Sequence, residues 1–185
     1  MDNVVSAGST TTIVGRLALG VTLLAVGLGY TGLIDGVTAA DAVTLAHYVG
    51  GVALFVAGLL AFREGDAGTG TAFAALGALW FTWAVSPDVS ANAAGLFLLL
   101  FALVVLSLTL AGGDTLGQAM YGLFFVALLL LAIGQFADSG ALGKAGGWFA
   151  VASGAVAWYT ATAALAHWPT ALPRRAAGRG VTAAG

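Results

Sequence analysis

The chain has no cysteine, three prolines, two histidines and little charge: Asp, Glu, Lys and Arg make up 8% of its 185 residues. Each scarcity excludes something. Without cysteine there are no disulfides, thiolate metal sites or cysteine nucleophiles. The prolines, Pro87, Pro169 and Pro173, lie outside the long apolar runs, so no broken-helix binding site between inverted repeats is signalled. A soluble domain carries about 25% charged residues, and there is too little polar surface here to coat a globule in water. The net charge is −2 with no basic cluster, which gives nucleic acid nothing to hold. Catalysis finds no footing either: there is no glycine-rich phosphate loop after a strand, no pair of acids within a span and no Ser-His-Asp set. The two histidines, His47 and His167, should lie at opposite faces, so neither a metal nor a cofactor is expected.

What the chain does have is apolar length. Hydrophobic residues make up 60% of it, and the mean hydropathy is +1.00. Six blocks stand out, at about 13–34, 42–62, 69–86, 92–112, 117–136 and 146–167. A helix of about 20 apolar residues crosses a hydrocarbon core of roughly 30 Å. Backbone groups in lipid must be satisfied internally, and period-two alternation is absent, so helices are expected rather than a barrel. The expectation is an all-α membrane protein, a six-transmembrane-helix bundle spanning residues 13–167. Residues 1–12 read as a polar N-terminal segment without the basic start of a signal peptide, and 168–185 as a basic flexible tail.

Six spans put Arg16, Arg63, Arg174, Arg175 and Arg179 on one side, against Lys144 with Asp35, Asp41, Asp88 and Asp138 on the other. The positive-inside rule then places both termini in the cytoplasm of a plasma-membrane protein.

Glycine, with 28 residues, is abundant. Helix 2 opens with Gly50-Gly51 and helix 6 with Gly146-Gly147, and each has another glycine seven residues later, Gly58 and Gly154. This echo suggests three related hairpins; simple glycine abundance is the alternative. Small residues let helix backbones approach where water supplies no driving force. Ala150 with Gly154, Ser153 with Ala157, and Ala53 with Ala57 make such ridges, serving a monomeric bundle or a subunit interface.

The stretch VAGLLAFREGDAGTGTAFAALGALWF, Val56 to Phe81, resembles the acetate uptake transporter family of bacterial acetate/succinate permeases and yeast acetate and ammonium transport proteins. Asn92-Ala93, LLAIGQ from Leu130 to Gln135, Gly147-Trp148, Gly154-Ala155 and Tyr159 extend the resemblance over about 13–167. It implies a six-helix protomer with its own narrow path, assembly into a hexamer, and passage of small monocarboxylates. The family's proline-containing signature is degenerate here, reading Thr10 to Arg16 with only Gly15 kept. Where relatives carry a tyrosine, a glutamine and a glutamate along helix 2, this chain has Val49, Leu54 and Ala61. The family constriction aligns with Leu19, Leu76 and Phe124, an apolar plug without its hydroxyl.

Several polar residues complete the candidate site. Thr22, Asn92 and Tyr159 join Val49 and Leu54 along the path the resemblance implies, although Asn92 is also readable as a helix N-cap. Arg16 either draws anions to the mouth or snorkels to the interface. His47, shallow in helix 2, is a proton-relay candidate or an interfacial residue beside Asp41. Trp148 and Trp168 fit an aromatic belt, while Trp80 and Trp158 are expected to pack inside. Three functions follow: a channel for acetate-like monocarboxylates, a channel for a small neutral solute such as ammonia, protonated acid or gas, or an accessory subunit that kept the fold and lost transport.

Overall fold

The computed structural model describes residues 9–86 and 88–168, all helix and turn without a strand. Pro87, Pro169, Pro173, Arg174, Arg175, Arg179 and most of both terminal segments lie outside the described residues. The elements are α1 (Thr10–Thr31), α2 (Ala39–Ala46), a π-helical segment (His47–Ala53), α3 (Leu54–Arg63), α4 (Ala67–Ala84), α5 (Ala91–Leu110), α6 (Thr115–Phe136) and α7 (Gly140–Leu165). The π segment joins α2 and α3 into one span, so the helices make six passes. Five of these are long and apolar enough to cross a membrane by length and composition alone. The remaining one, α4, is diluted by Gly68, Gly70, Gly77 and three threonines, yet at 18 residues it reaches about 27 Å.

Polar residues mark where the helices start. Ser9, Thr38, Asp66, Ser90, Asp114 and Ser139 each accept a hydrogen bond from a backbone N–H three residues on, satisfying one of the amides a helix start leaves free. Asn92 is therefore not the cap of α5. Ser90 is, and Asn92 lies inside the first turn, because the helix begins earlier than its apolar block. At Asp66 the bonds from Thr69 hold the carboxyl below its usual range. Asp66→Ala should cost about 1 kcal/mol in unfolding measurements. Because the folded-state pKa is depressed, this contribution is present above the unfolded value and disappears as pH falls through the folded one.

The spans close into a ring in the order α4, α2–α3, α1, α7, α6, α5, with only the seam between α4 and α5 thinly packed among the described residues. Glycine explains the tightest joints. A Cβ on Gly20 would lie 2.9 Å from the Trp158 nitrogen, and one on Gly154 2.8 Å from the Leu24 nitrogen. Gly27 and Gly147 face each other's carbonyls in the same way, each at 2.8 Å. Two glycines seven apart on α1 thus meet two glycines seven apart on α7, with the chains antiparallel. In the second span, Gly51 meets the backbone of Phe81 and Gly58 that of Ala74 on α4. Both members of the sequence echo therefore join their hairpin to the first helix of another. Ala150, Ser153, Gly154 and Ala157 are buried within the protomer, and Ser153 Oγ donates to the Met120 carbonyl at 2.8 Å. The Ala53–Ala57 ridge does not form: Ala53 ends the π segment and is exposed, while Ala57 is buried.

The ring is filled by large apolar side chains, among them Leu19, Leu23, Phe73, Leu76, Phe124 and Leu128. Its outside is equally apolar, with Phe55, Leu59, Leu96 and Leu103 exposed, as contact with lipid requires.

Candidate functional site

Leu19 on α1, Leu54 on α3, Leu76 on α4 and Phe124 on α6 are at most 1% exposed and belong to one buried cluster at the centre of the ring. The three residues expected to form the apolar plug, Leu19, Leu76 and Phe124, therefore lie in one core together with Leu54, which was expected along the path. Gly15, the glycine kept from the family signature, lies against the Phe73 ring. Thr22 is buried beside the plug, but its hydroxyl donates to the Ala18 carbonyl at 2.8 Å, the bond to its own helix that such residues commonly make. Gly50 brings the π segment against it: a Cβ there would lie 2.5 Å from Thr22 Cγ2 and 3.1 Å from Trp80 Cγ. A widened π turn is a frequent mark of functional sites, and periodicity gave no sign of this one.

Leu76 and Trp80 share a face of α4, being four residues apart. The Trp80 ring stacks on Phe124 with centroids 6.0 Å apart and planes 6° from parallel. Beyond this pair is a cavity of about 10 Å³ lined by Val26, Tyr30, Trp80, Phe124, Leu131 and Ala150 among others, on the order of one water. Tyr30 and Leu131 also line a more open cavity of about 320 Å³ with Gln135, Asp138, Ser139 and Lys144. The outer cavity, or vestibule, and the small inner cavity thus share Tyr30 and Leu131, and the inner one shares Phe124 with the buried apolar cluster. Tyr30, Trp80 and Lys144 were not singled out as site residues from sequence; the i+4 spacing of Trp80 from Leu76 was the available signal.

At the opposite end of the ring, Arg16 pairs with Asp114 at 3.2 Å, joining α1 to the start of α6. Thr11 donates to Glu64 and ties α1 to the end of α3. Arg16 is thus neither a lone snorkelling residue nor an uncompensated positive charge. The two ends match the charge segregation expected from sequence, with Arg16 and Arg63 at one and Asp35, Asp41 and Lys144 at the other.

Other candidates lie apart from the plug. Val49 and Tyr159 are exposed, Tyr159 beside Trp168, and Asn92 is exposed at the start of α5. His47 opens the π segment half-buried, its ring 4.7 Å from that of Phe81 and 4.9 Å from that of Tyr48. It does not sit beside Asp41, whose carboxylate instead accepts from the Thr38 hydroxyl and amide at 2.6 and 3.0 Å. Trp158, expected inside, is 48% exposed, because its backbone lies against Gly20 and turns the ring outward.

Residues 7–171 match the GPR1/FUN34/yaaH family. The chain belongs to the GPR1/FUN34/yaaH family. A curated relative is Ammonia transport outward protein 3 of Saccharomyces cerevisiae, 30% identical over 141 residues, which are 64% of this chain and 49% of that protein. The chain spans about half the length of that relative. Among solved structures, that of the bacterial acetate channel SatP matches with a TM-score of 0.77 at 25% identity, covering 86% of this chain and 93% of that one. The family resemblance read from the residues is thus found by independent comparison, and the GPR1/FUN34/yaaH fold is that of a multi-pass helical membrane protein.

Proposed function

We propose that this GPR1/FUN34/yaaH member is a channel for small monocarboxylates such as acetate, a transport protein and not an enzyme. The carrying observation is that the outer cavity, the inner cavity and the buried apolar cluster share lining residues, Tyr30 and Leu131 between the first two and Phe124 between the last two. Because one chain builds all three, each protomer of a homo-oligomer, a hexamer by the resemblance, has its own path. The Arg16 end faces the cytoplasm of the plasma membrane by the positive-inside rule. Residues 13–167 form the transmembrane domain between polar termini.

The plug offers no free donor: its side chains are apolar and the Thr22 hydroxyl is committed to Ala18. An unpaired carboxylate there would lose its hydration at a cost of several kcal/mol, so the acid crosses the plug in its neutral form. Lys144 draws the anion to the vestibule against the Asp138 carboxylate that shares its wall, because a positive charge in a concave site raises the local concentration of an anion. His47 and Arg16, off this line, act at most at its margins. Val49 and Tyr159 face away from it, and Asn92 is exposed beside the seam between α4 and α5.

Labelled acetate uptake into liposomes tests this. Uptake should be protein-dependent, saturable, and faster at pH 5 than at pH 7.5. Lys144→Glu should raise the half-saturating acetate concentration severalfold at low salt, and the difference should shrink as ionic strength screens it. Folded protein giving no more uptake than protein-free liposomes overturns the acetate reading. The wholly apolar plug and the name of the yeast relative favour ammonia as the second reading, and protein-dependent ammonia flux under the same conditions would establish it.

A further inference from the structure

Trp80 is 5% exposed, and its Nε1 is the one buried side-chain nitrogen or oxygen without a hydrogen-bond partner among the described residues. The other buried polar side chains among the described residues are satisfied: Thr22 by Ala18, Thr31 by Leu28, Ser153 by Met120, and Thr160 by Ala157. An orphaned buried donor forfeits roughly 1–3 kcal/mol of hydration. This donor lies at a particular place. It belongs to the Trp80 side chain, whose ring stacks on Phe124 of the plug and which is among the residues lining the inner cavity, one turn from Leu76.

We propose that the Trp80 indole N–H is the hydrogen-bond donor that receives the solute between the vestibule and the plug. This rests on the path proposed above and specifies which chemistry the path accepts. An indole nitrogen donates and cannot accept. The solute must therefore present a lone pair: a carboxyl oxygen and neutral ammonia both qualify, an ammonium ion has none, and an apolar gas gains nothing. Lys144 and Asp138 share the vestibule wall, and the Lys144 ammonium is the group there from which a carboxylate can accept. A carboxylate held by Lys144 takes a proton from the water that fills the open vestibule, leaves Lys144 as the neutral acid and accepts from the Trp80 N–H through its carbonyl oxygen, so one oxygen stays hydrogen-bonded up to the plug.

Trp80→Phe keeps an aromatic ring against Phe124 and removes the donor. It should lower saturable acetate uptake about tenfold, the scale of one lost buried hydrogen bond. Trp158→Phe, on the outer surface, should leave uptake unchanged. The indole ¹H–¹⁵N resonance of Trp80 supplies a readout that packing alone does not move. In wild-type protein it should shift downfield and saturate on titration with acetate, while the resonances of the exposed Trp148 and Trp168 stay fixed. If Trp80→Phe does not fold, substituting the other four tryptophans assigns the resonance, and the wild-type titration decides. A Trp80 resonance unmoved by acetate in protein that transports acetate, or full uptake by folded Trp80→Phe, overturns the donor role and leaves the channel reading standing. A saturable shift in protein that carries no acetate supports the donor and sinks transport instead.

Discussion

Replacing Leu76 with alanine is expected to raise acetate flux about tenfold, a barrier change near 1.4 kcal/mol. Leu76 is fully buried at the centre of the ring, and the cavity beside Phe124 and Trp80 holds only about 10 Å³. Leu76 lies one turn from Trp80, which lines that cavity, so shortening it opens new space next to the cavity for water, and a constriction that gates by excluding water loses its seal. Part of the desolvation cost of several kcal/mol that opposes a carboxylate is then relieved. The pH dependence should flatten in step, because the anion no longer has to be neutralised to pass. Stability should fall by about 2–5 kcal/mol, the usual cost of a leucine-to-alanine change in a core, so unfolding must be measured alongside uptake. Leu59→Ala, on the lipid-facing side of α3, is the control and should leave flux unchanged. Folded Leu76→Ala with wild-type flux and pH dependence would remove Leu76 from the plug.

Gly154→Val is expected to damage the fold more than any change in the plug. The space a side chain would need at Gly154 is taken by the backbone of α1, at Leu24 and at the Gly20 carbonyl, 2.8 and 2.9 Å away. Backbone does not swing aside as a long side chain does, so α1 and α7 must separate along the seam that also contains Gly27 and Gly147. Overpacking of a tight core costs roughly 3 kcal/mol, and lost contact along that seam adds to it. Thermal or denaturant unfolding in detergent should show the loss directly. Gly122→Ala on α6 is the counterpart: the nearest atom is Thr109 Cγ2 at 3.8 Å, and alanine is the better helix former by about 1 kcal/mol. That variant should be neutral or more stable. Equal unfolding of Gly154→Val and wild type would show that the glycine seam does not hold α1 to α7.

Sequence by itself determined the class, the number of passes, the end each charge occupies and the family. Apolar length and scarce charge suffice for the first three, because the energy of placing a helix in lipid depends on composition and length rather than on neighbours. Leu19, Leu54, Leu76 and Phe124 could be selected only through resemblance. Lipid is as apolar as the core, so no amphipathic stripe separates the inward face from the outward one. For that reason Trp80 and Trp158, both inside their apolar runs, looked alike, and only packing turned one into the ring and the other out of it. Tertiary structure also decided the π turn that brings Gly50 against Thr22, the Arg16–Asp114 pair across distant segments, and the vestibule in which Lys144, Gln135 and Tyr30 meet. Each depends on which helices become neighbours, and that choice was made by the backbone fit of particular glycines, which composition counts but cannot pair.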